Sequence, residues 1–170
     1  MTPFPRADYG AVTRYHFDRT PVALDLSDNT NRWGTPPAAL EILRRAGADL
    51  LARYPDLYAE ELRAVAAARL GVPEVCVATG CGSDDVLDSA FRACGGSSAD
   101  SVALAAPTFS MVRPFAAMNG MAARSVPWAD ALHDPARLLE GGPALVYVCR
   151  PNNPTGHVAP GAWVEALLEA

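Results

Sequence analysis

The chain has 170 residues, of which half are apolar and 19% are charged, and its formal net charge is −5. This composition is typical of one globular domain with an ordinary core, and it disfavours intrinsic disorder and a surface that neutralises nucleic-acid phosphates. No apolar run approaches the length of a bilayer span, and the four cysteines lack CxxC or zinc-finger spacing; we therefore predict a cytoplasmic protein with reduced thiols, no metal site, and no membrane or nucleic-acid partner.

The N-terminal half is predicted to be irregular at first and helical afterwards. Residues 1–37 form an arm that ends in a turn-rich loop, with one short strand at Val22–Leu26. A helix is predicted over Ala38–Tyr54, where leucines recur at helical spacing. A second helix is predicted over Ala59–Leu70, with Gly71 as its stop.

From residue 75 onward, strands and helices alternate, which indicates βαβ units and a parallel sheet. Strands are predicted at Val75–Ala78, Ser101–Ala106, Ala122–Val126 and Ala144–Cys149, and helices at Ser83–Ala93, around Phe109–Phe115 and from Pro160 onward. The continuous apolar run Leu145–Val148 predicts a central strand covered on both faces. Because the sequence stops inside the last predicted helix, we expect residues 38–170 to be an incomplete domain whose later strands lie elsewhere.

A glycine-rich turn, Gly80-Cys81-Gly82-Ser83-Asp84-Asp85, joins a predicted strand to a predicted helix. Glycines let an anion approach the backbone, and a helix start offers free N–H groups with about half a positive charge. The turn is therefore either a phosphate cup, in which both aspartates point away from the anion, or an ordinary turn with Ser83 as the N-cap. A dinucleotide or S-adenosylmethionine loop is disfavoured, because Asp85 stands where a third glycine is required.

Four further segments carry candidate binding groups. Pro151–Gly156 follows the last predicted strand and is either a ligand loop, whose asparagine donates a hydrogen bond to a phenolate oxygen, or a proline-rich turn without a ligand. Phe109 either stacks on a planar cofactor or packs in the core. The loop Asp28–Gly34 is a turn whose Trp33 is either a binding surface or a hydrophobic plug, and Arg53–Asp56 is a helix end. The histidines lack metal or triad spacing, and no G-x-S-x-G motif of a serine hydrolase occurs.

Together these strings resemble the class I and II aminotransferases, and within them the histidinol-phosphate aminotransferases. The resemblance covers roughly residues 22–170 and rests on five motifs in the family's order, namely Asn29–Pro37, Arg53–Asp56, Gly82–Asp84, Pro107–Phe109 and Pro151–Gly156. In the first motif Thr30, Arg32 and Trp33 replace the family's usual glutamate, proline and tyrosine. That loop touches the substrate in the family, so the substrate identity stays open.

The resemblance implies a fold-type I large domain, with a mostly parallel sheet flanked by helices, that binds pyridoxal 5′-phosphate in a homodimer with shared active sites. It implies a phosphate cup at Gly82, Ser83 and Asp84, a stacking ring at Phe109, a phenolate partner at Asn153, a contact from Tyr54 to the cofactor of the neighbouring subunit, and substrate contacts at Asn31, Trp33 and Gly34. It also implies a Schiff-base lysine, an aspartate on the pyridine nitrogen and a substrate-binding arginine. All fourteen basic residues of this chain are arginine, so we expect these groups after residue 170 and no catalytic residue within it.

Three functions stay open at this point. The first is an aminotransferase that moves an amino group from histidinol phosphate or a related amine to a 2-oxo acid such as 2-oxoglutarate; the present chain would be its N-terminal part and inactive alone. The second is a pyridoxal-phosphate-dependent decarboxylase of the same fold, similar to the threonine-phosphate decarboxylases. The third is a non-catalytic binding or dimerisation module that keeps the phosphate cup.

Overall fold

The computed structural model describes residues 9–10, 12, 20–24, 29–95 and 100–170. The chain divides into two compact units, one of residues 16–79 and one of residues 80–170 together with the first 15 residues. No helix among the described residues is long and apolar enough to cross a membrane. The boundary expected at residue 37, between an N-terminal arm and a large domain, stays a prediction.

Short helices make up the regular structure described within residues 16–79. They are α1 (Pro37–Arg45), α2 (Ala48–Ala52) and α3 (Glu60–Leu70), followed by a 3₁₀ turn at Glu74–Cys76. Helix α1 starts with a proline at its first position. A backbone N–H at that position has no acceptor within the helix, so the absence of the N–H in proline costs no hydrogen bond. Helix α3 ends at the predicted stop, Gly71, whose φ of +68° is a left-handed conformation that glycine adopts without penalty.

Three predictions for this unit are wrong in whole or in part. The single helix expected over Ala38–Tyr54 is two helices, because Gly47 is extended (φ −82°, ψ 170°) and interrupts it. Val75–Ala78 contributes to a 3₁₀ turn after Pro73 instead of a strand, and it pairs with none of the described strands. Residues 22–24 are not in a strand, and residues 25–26 of that predicted strand lie outside the described residues.

A three-stranded parallel sheet with helices on both faces forms the unit of residues 80–170. Its elements are α4 (Ser83–Cys94), β1 (Ser101–Ala106), α5 (Val112–Met118), β2 (Ala122–Pro127), α6 (Trp128–His133), a 3₁₀ turn at Pro135–Leu138, β3 (Leu145–Tyr147) and α7 (Gly161–Glu169). The strand order is β2-β1-β3, with Ser101 opposite Ala122 and Val102 opposite Leu145. The predicted α/β class with a parallel sheet is confirmed, although sequence analysis did not predict α6.

The central strand of this sheet is β1 and not β3. Residues 102–105 of β1 are at most 2% exposed, and side chains alternate along it, so Val102 and Leu104 face one layer while Ala103 and Ala105 face the other. Strand β3 lies at an edge of the described sheet and its residues are only half-buried. Within the described residues β3 has a neighbour on one side only, so the central position predicted for Leu145–Val148 stays a prediction.

Two apolar layers hold the helices against β1. On one face Phe91 of α4 packs near Phe115 of α5, with ring centroids 6.1 Å apart. On the other face the indole N–H of Trp163 in α7 donates to the carbonyl of Ala131 in α6 at 2.7 Å. This packing leaves the C-terminal ends of β1 and β3 at the same edge of the sheet, which is where parallel α/β proteins carry ligand-binding loops.

Candidate functional site

The loops that follow β1 and β3 are tied together at the C-terminal edge of the sheet. The Asn152 side chain donates through Nδ2 to the carbonyl of Pro107 at 2.8 Å. The Thr108 hydroxyl donates to Asn152 Oδ1 at 2.9 Å, across 44 residues of sequence. The segment that carries Phe109 and the Pro151–Gly156 turn therefore form one structure at this edge.

Asn152 is almost completely buried, at 1% exposure. Within the described part of the chain, it is the one polar or charged residue that is buried. Its second side-chain N–H goes to Thr155 Oγ1 at 2.9 Å, so both N–H donors are used inside the protein. The main chain closes the turn as well, because the Gly156 N–H donates to the Asn152 carbonyl at 2.6 Å. Sequence analysis missed this residue, since two adjacent asparagines carry no local signal of which one faces inward.

Asn153 is the residue predicted to meet a phenolate oxygen. Its backbone N–H donates to Cys149 Sγ at 3.3 Å, and no described residue hydrogen-bonds its side-chain carboxamide. The Asn152 donors are thus used within the protein, whereas the Asn153 carboxamide makes no hydrogen bond to the described residues. The role of Asn153 as a phenolate partner stays a prediction.

The start of α4 is shaped by two glycines with different requirements. A Cβ on Gly80 would lie 2.7 Å from Asp85 Oδ2, which accepts a hydrogen bond from the Cys81 N–H at 2.9 Å. Gly82 is the N-cap, with φ +90° and ψ 176°, and no side chain caps the helix. The alternative in which Ser83 is the N-cap is therefore wrong, because the helix begins with Ser83 itself. The first turn keeps backbone N–H groups for an anion, while the Asp85 carboxylate is held by the preceding turn.

Phe109 lies in the loop between β1 and α5. Its side chain is half-buried and packs against the layer that contains Phe91 and Phe115. It also lines a cavity of about 340 Å³ together with Ser110, Arg113 and the end of β1. Both interpretations of this ring thus have a structural basis, since one part of it joins the core and another borders open volume.

Tyr147 is the last residue of β3. It packs against the same layer as Phe109 and Leu87 of α4. Burial raises the pKa of Tyr147, and a hydrogen bond to Cys149 and the negative charges of Cys149 and Asp84 raise that pKa further. Because Leu87 of α4, Phe109 and Tyr147 all pack against one layer, α4, the loop after β1 and the end of β3 lie on the same face of the sheet.

The remaining predicted residues lie in the unit of residues 16–79. Asn31 forms a local turn, in which its Nδ2 donates to the Gly34 carbonyl at 2.8 Å and its Oδ1 accepts from the Trp33 N–H at 3.1 Å. Trp33 is 97% exposed and Tyr54 is 99% exposed. Their substrate and cofactor roles stay predictions. Among the described residues, no cluster of three or more His, Cys, Asp or Glu side chains is placed to hold a metal ion.

Comparison with known proteins gives a family and several named relatives. The model of the family "Aminotransferase class I and II" matches residues 21–170. A histidinol-phosphate aminotransferase of Geobacillus sp. (strain WCH70) is 38% identical over 136 residues, which are 78% of this chain and 37% of that protein. The enzyme of the same name from Geobacillus thermodenitrificans is 36% identical over 86% of this chain and 40% of its own length.

A solved structure has the same fold. The crystal structure of histidinol-phosphate aminotransferase from Sinorhizobium meliloti, in complex with pyridoxal-5′-phosphate, matches with a TM-score of 0.67 and 25% identity, over 81% of this chain and 38% of that one. The predicted fold-type I architecture, an α/β domain with a mostly parallel sheet flanked by helices, is confirmed by this likeness. The chain spans about two fifths of the length of these relatives.

Proposed function

The chain belongs to the class I and II aminotransferase family, and we propose on that premise that its protein transfers an amino group from histidinol phosphate, or a closely related amine, to a 2-oxo acid such as 2-oxoglutarate. The names of the relatives support this substrate class. The observation that carries the proposal is the joining of two loops at the C-terminal edge of the sheet, where Asn152 ties the Phe109 segment to the turn that carries Asn153. The uncapped start of α4 belongs to the same compact unit.

The cofactor is pyridoxal 5′-phosphate, and the residues present fit it. Its phosphate needs N–H donors and positive potential, which the first turn of α4 offers at Ser83 and Asp84. Gly82 contributes the bend that precedes this turn, since its own N–H donates to the Gly80 carbonyl at 2.9 Å. The Asp85 carboxylate does not compete for these donors, because it accepts the Cys81 N–H instead. The cavity beside Phe109 has room for a planar ring.

When bound, this cofactor supplies the electron sink for breaking bonds at the substrate Cα. The protein holds and orients it. Phe109 fixes the plane of the ring by stacking, and Asn153 Nδ2 donates to the phenolate oxygen and favours its charged form. Asn153 keeps this carboxamide available because its neighbour Asn152 satisfies the internal hydrogen bonds of the turn.

Proton transfer at Cα requires a base that these residues do not include. All fourteen basic residues of the chain are arginine, whereas amino transfer in this family uses a lysine that also binds the cofactor covalently. We therefore propose that the chain is the N-terminal part of the enzyme, that the lysine follows it, and that the 170 residues alone do not transaminate.

We also propose a homodimer in which Tyr54 reaches the cofactor phosphate of the second subunit and the loop at Asn31, Trp33 and Gly34 contacts the substrate. Tyr54 and Trp33 are 99% and 97% exposed, so both rings are accessible for these roles.

Turnover by the protein expressed from its complete reading frame tests the proposed function. With cofactor, histidinol phosphate and 2-oxoglutarate, we expect glutamate to form in step with donor consumption. Release of carbon dioxide from an amino-acid phosphate without any 2-oxo acid would instead identify a decarboxylase. Turnover by the 170-residue chain alone would overturn the assignment of the lysine to a later segment.

A further inference from the structure

The Asn152 carboxamide joins two segments that each present a side chain to the proposed cofactor site. It receives the Thr108 hydroxyl on Oδ1 and donates to the Pro107 carbonyl and to Thr155 Oγ1, at 2.8–2.9 Å. Thr155 Oγ1 in turn accepts the His157 N–H at 3.3 Å. These bonds occupy both donors and one acceptor position of a side chain that is 1% exposed.

In the sequence, these hydrogen bonds lie next to the two side chains proposed to contact the cofactor, Phe109 and Asn153. Thr108 directly precedes Phe109, and Asn152 directly precedes Asn153. The buried Asn152 carboxamide therefore binds Thr108, the residue before the stacking ring, and Asn152 is itself the residue before the proposed phenolate donor. A polar group buried this deeply is costly unless all of its partners are in place, so the two loops have one favoured separation.

We propose that Asn152 is a positioning residue that fixes the distance between the Phe109 ring and the Asn153 carboxamide, and so places the Asn153 donor on the phenolate oxygen of the cofactor. This inference rests on the proposed function. It assigns no contact between Asn152 and the cofactor, because its N–H donors are already used within the protein.

The direct test follows the bound cofactor by its absorbance as pH is varied, in the protein expressed from its complete reading frame. A hydrogen bond to the charged phenolate favours the charged form, so losing it raises the midpoint of the titration. For Asn153→Ala and for Asn152→Ala we expect a rise of about one pH unit, the size expected for one hydrogen bond to a charged oxygen. Thr108→Val, which removes one of the three bonds, should give a smaller rise.

A matched control separates positioning from general stability. Asn119, at the end of α5, also makes two side-chain hydrogen bonds, to Asp88 Oδ1 at 3.0 Å and to the Phe115 carbonyl at 2.9 Å. Asn119→Ala should lower the melting temperature but leave the titration midpoint unchanged. If Asn153→Ala moves the midpoint and both Asn152→Ala and Thr108→Val leave it unchanged, the positioning role is wrong while the proposed function stands. If the wild-type protein shows no cofactor titration at all, the proposed function fails.

Hydrogen exchange in the cofactor-free protein gives a second readout. We expect Asn152→Ala to speed amide exchange in residues 107–111 and in residues 152–157 together, because one side chain ties both segments. Thr108→Val serves if Asn152→Ala does not fold. Faster exchange in only one segment would contradict the inference.

Discussion

Replacing Gly82 with alanine tests whether the start of α4 is built for a phosphate. Gly82 has φ +90° and ψ 176°, a region that glycine enters much more readily than any other residue. A Cβ built on it meets no heavy atom within 4 Å, so the substitution introduces no clash with the rest of the protein. The cost is conformational and is about 1–3 kcal/mol.

We expect this cost to appear as weaker cofactor binding. An alanine relieves the strain by rotating the backbone, and that rotation turns the first-turn N–H groups away from the phosphate. If the whole cost falls on the bound state, the dissociation constant for pyridoxal 5′-phosphate rises by about 5- to 150-fold. Pyridoxal lacks the phosphate, so its weaker binding should change little. Both constants come from titrating the cofactor-free protein and following absorbance.

Gly120 provides the matched control, because it also has a positive φ, +72°, and open space where a Cβ would stand, but it follows α5 away from the site. Gly120→Ala should lower the melting temperature and leave the affinity for pyridoxal 5′-phosphate unchanged. The reasoning is refuted if a folded Gly82→Ala protein binds pyridoxal 5′-phosphate as well as the wild type does, or if its affinities for pyridoxal and for the phosphate ester fall equally.

Two further predictions concern the packing that positions the site. The raised pKa of Tyr147 means that the folded state favours the protonated phenol. The protonated phenol therefore contributes to the free energy of unfolding below pH 10.0, the ordinary pKa of tyrosine, and this contribution is lost as pH rises further. Urea unfolding should therefore show a smaller alkaline loss of stability in Tyr147→Phe than in the wild type or in a variant of the exposed Tyr58, and an identical loss would contradict this. Trp163→Phe removes the 2.7 Å bond to the Ala131 carbonyl and should lower the free energy of unfolding by about 1–3 kcal/mol without changing cofactor affinity; unchanged stability in urea would count against it.

Elements with strong local signals were predictable from the sequence. Strand β1 has the predicted bounds, Ser101–Ala106, because a β-branched and apolar run meets a proline at its end. Helix α3 stops at Gly71 as expected. Both signals come from the backbone conformations that proline and glycine allow. These conformations are local properties, so they are predictable without knowledge of the tertiary contacts.

Features set by distant contacts were not predictable in this way. The position of β3 at a sheet edge depends on its neighbours, and Val75–Ala78 lacks a described strand to pair with. The motif around Asn153 is readable in the sequence, but the role of Asn152 depends on partners at Pro107 and Thr108, far away along the chain. Hydrogen bonds of this range appear only once the fold has brought the loops together.

A crystal structure of the protein expressed from its complete reading frame, with pyridoxal 5′-phosphate bound, tests the central claim most directly. We predict that the phosphate accepts hydrogen bonds from the first-turn N–H groups of α4, that the pyridine ring lies against Phe109, and that Asn153 Nδ2 is within hydrogen-bond distance of the phenolate oxygen. Cofactor bound elsewhere, or bound here without contact to Phe109 and Asn153, would contradict the account.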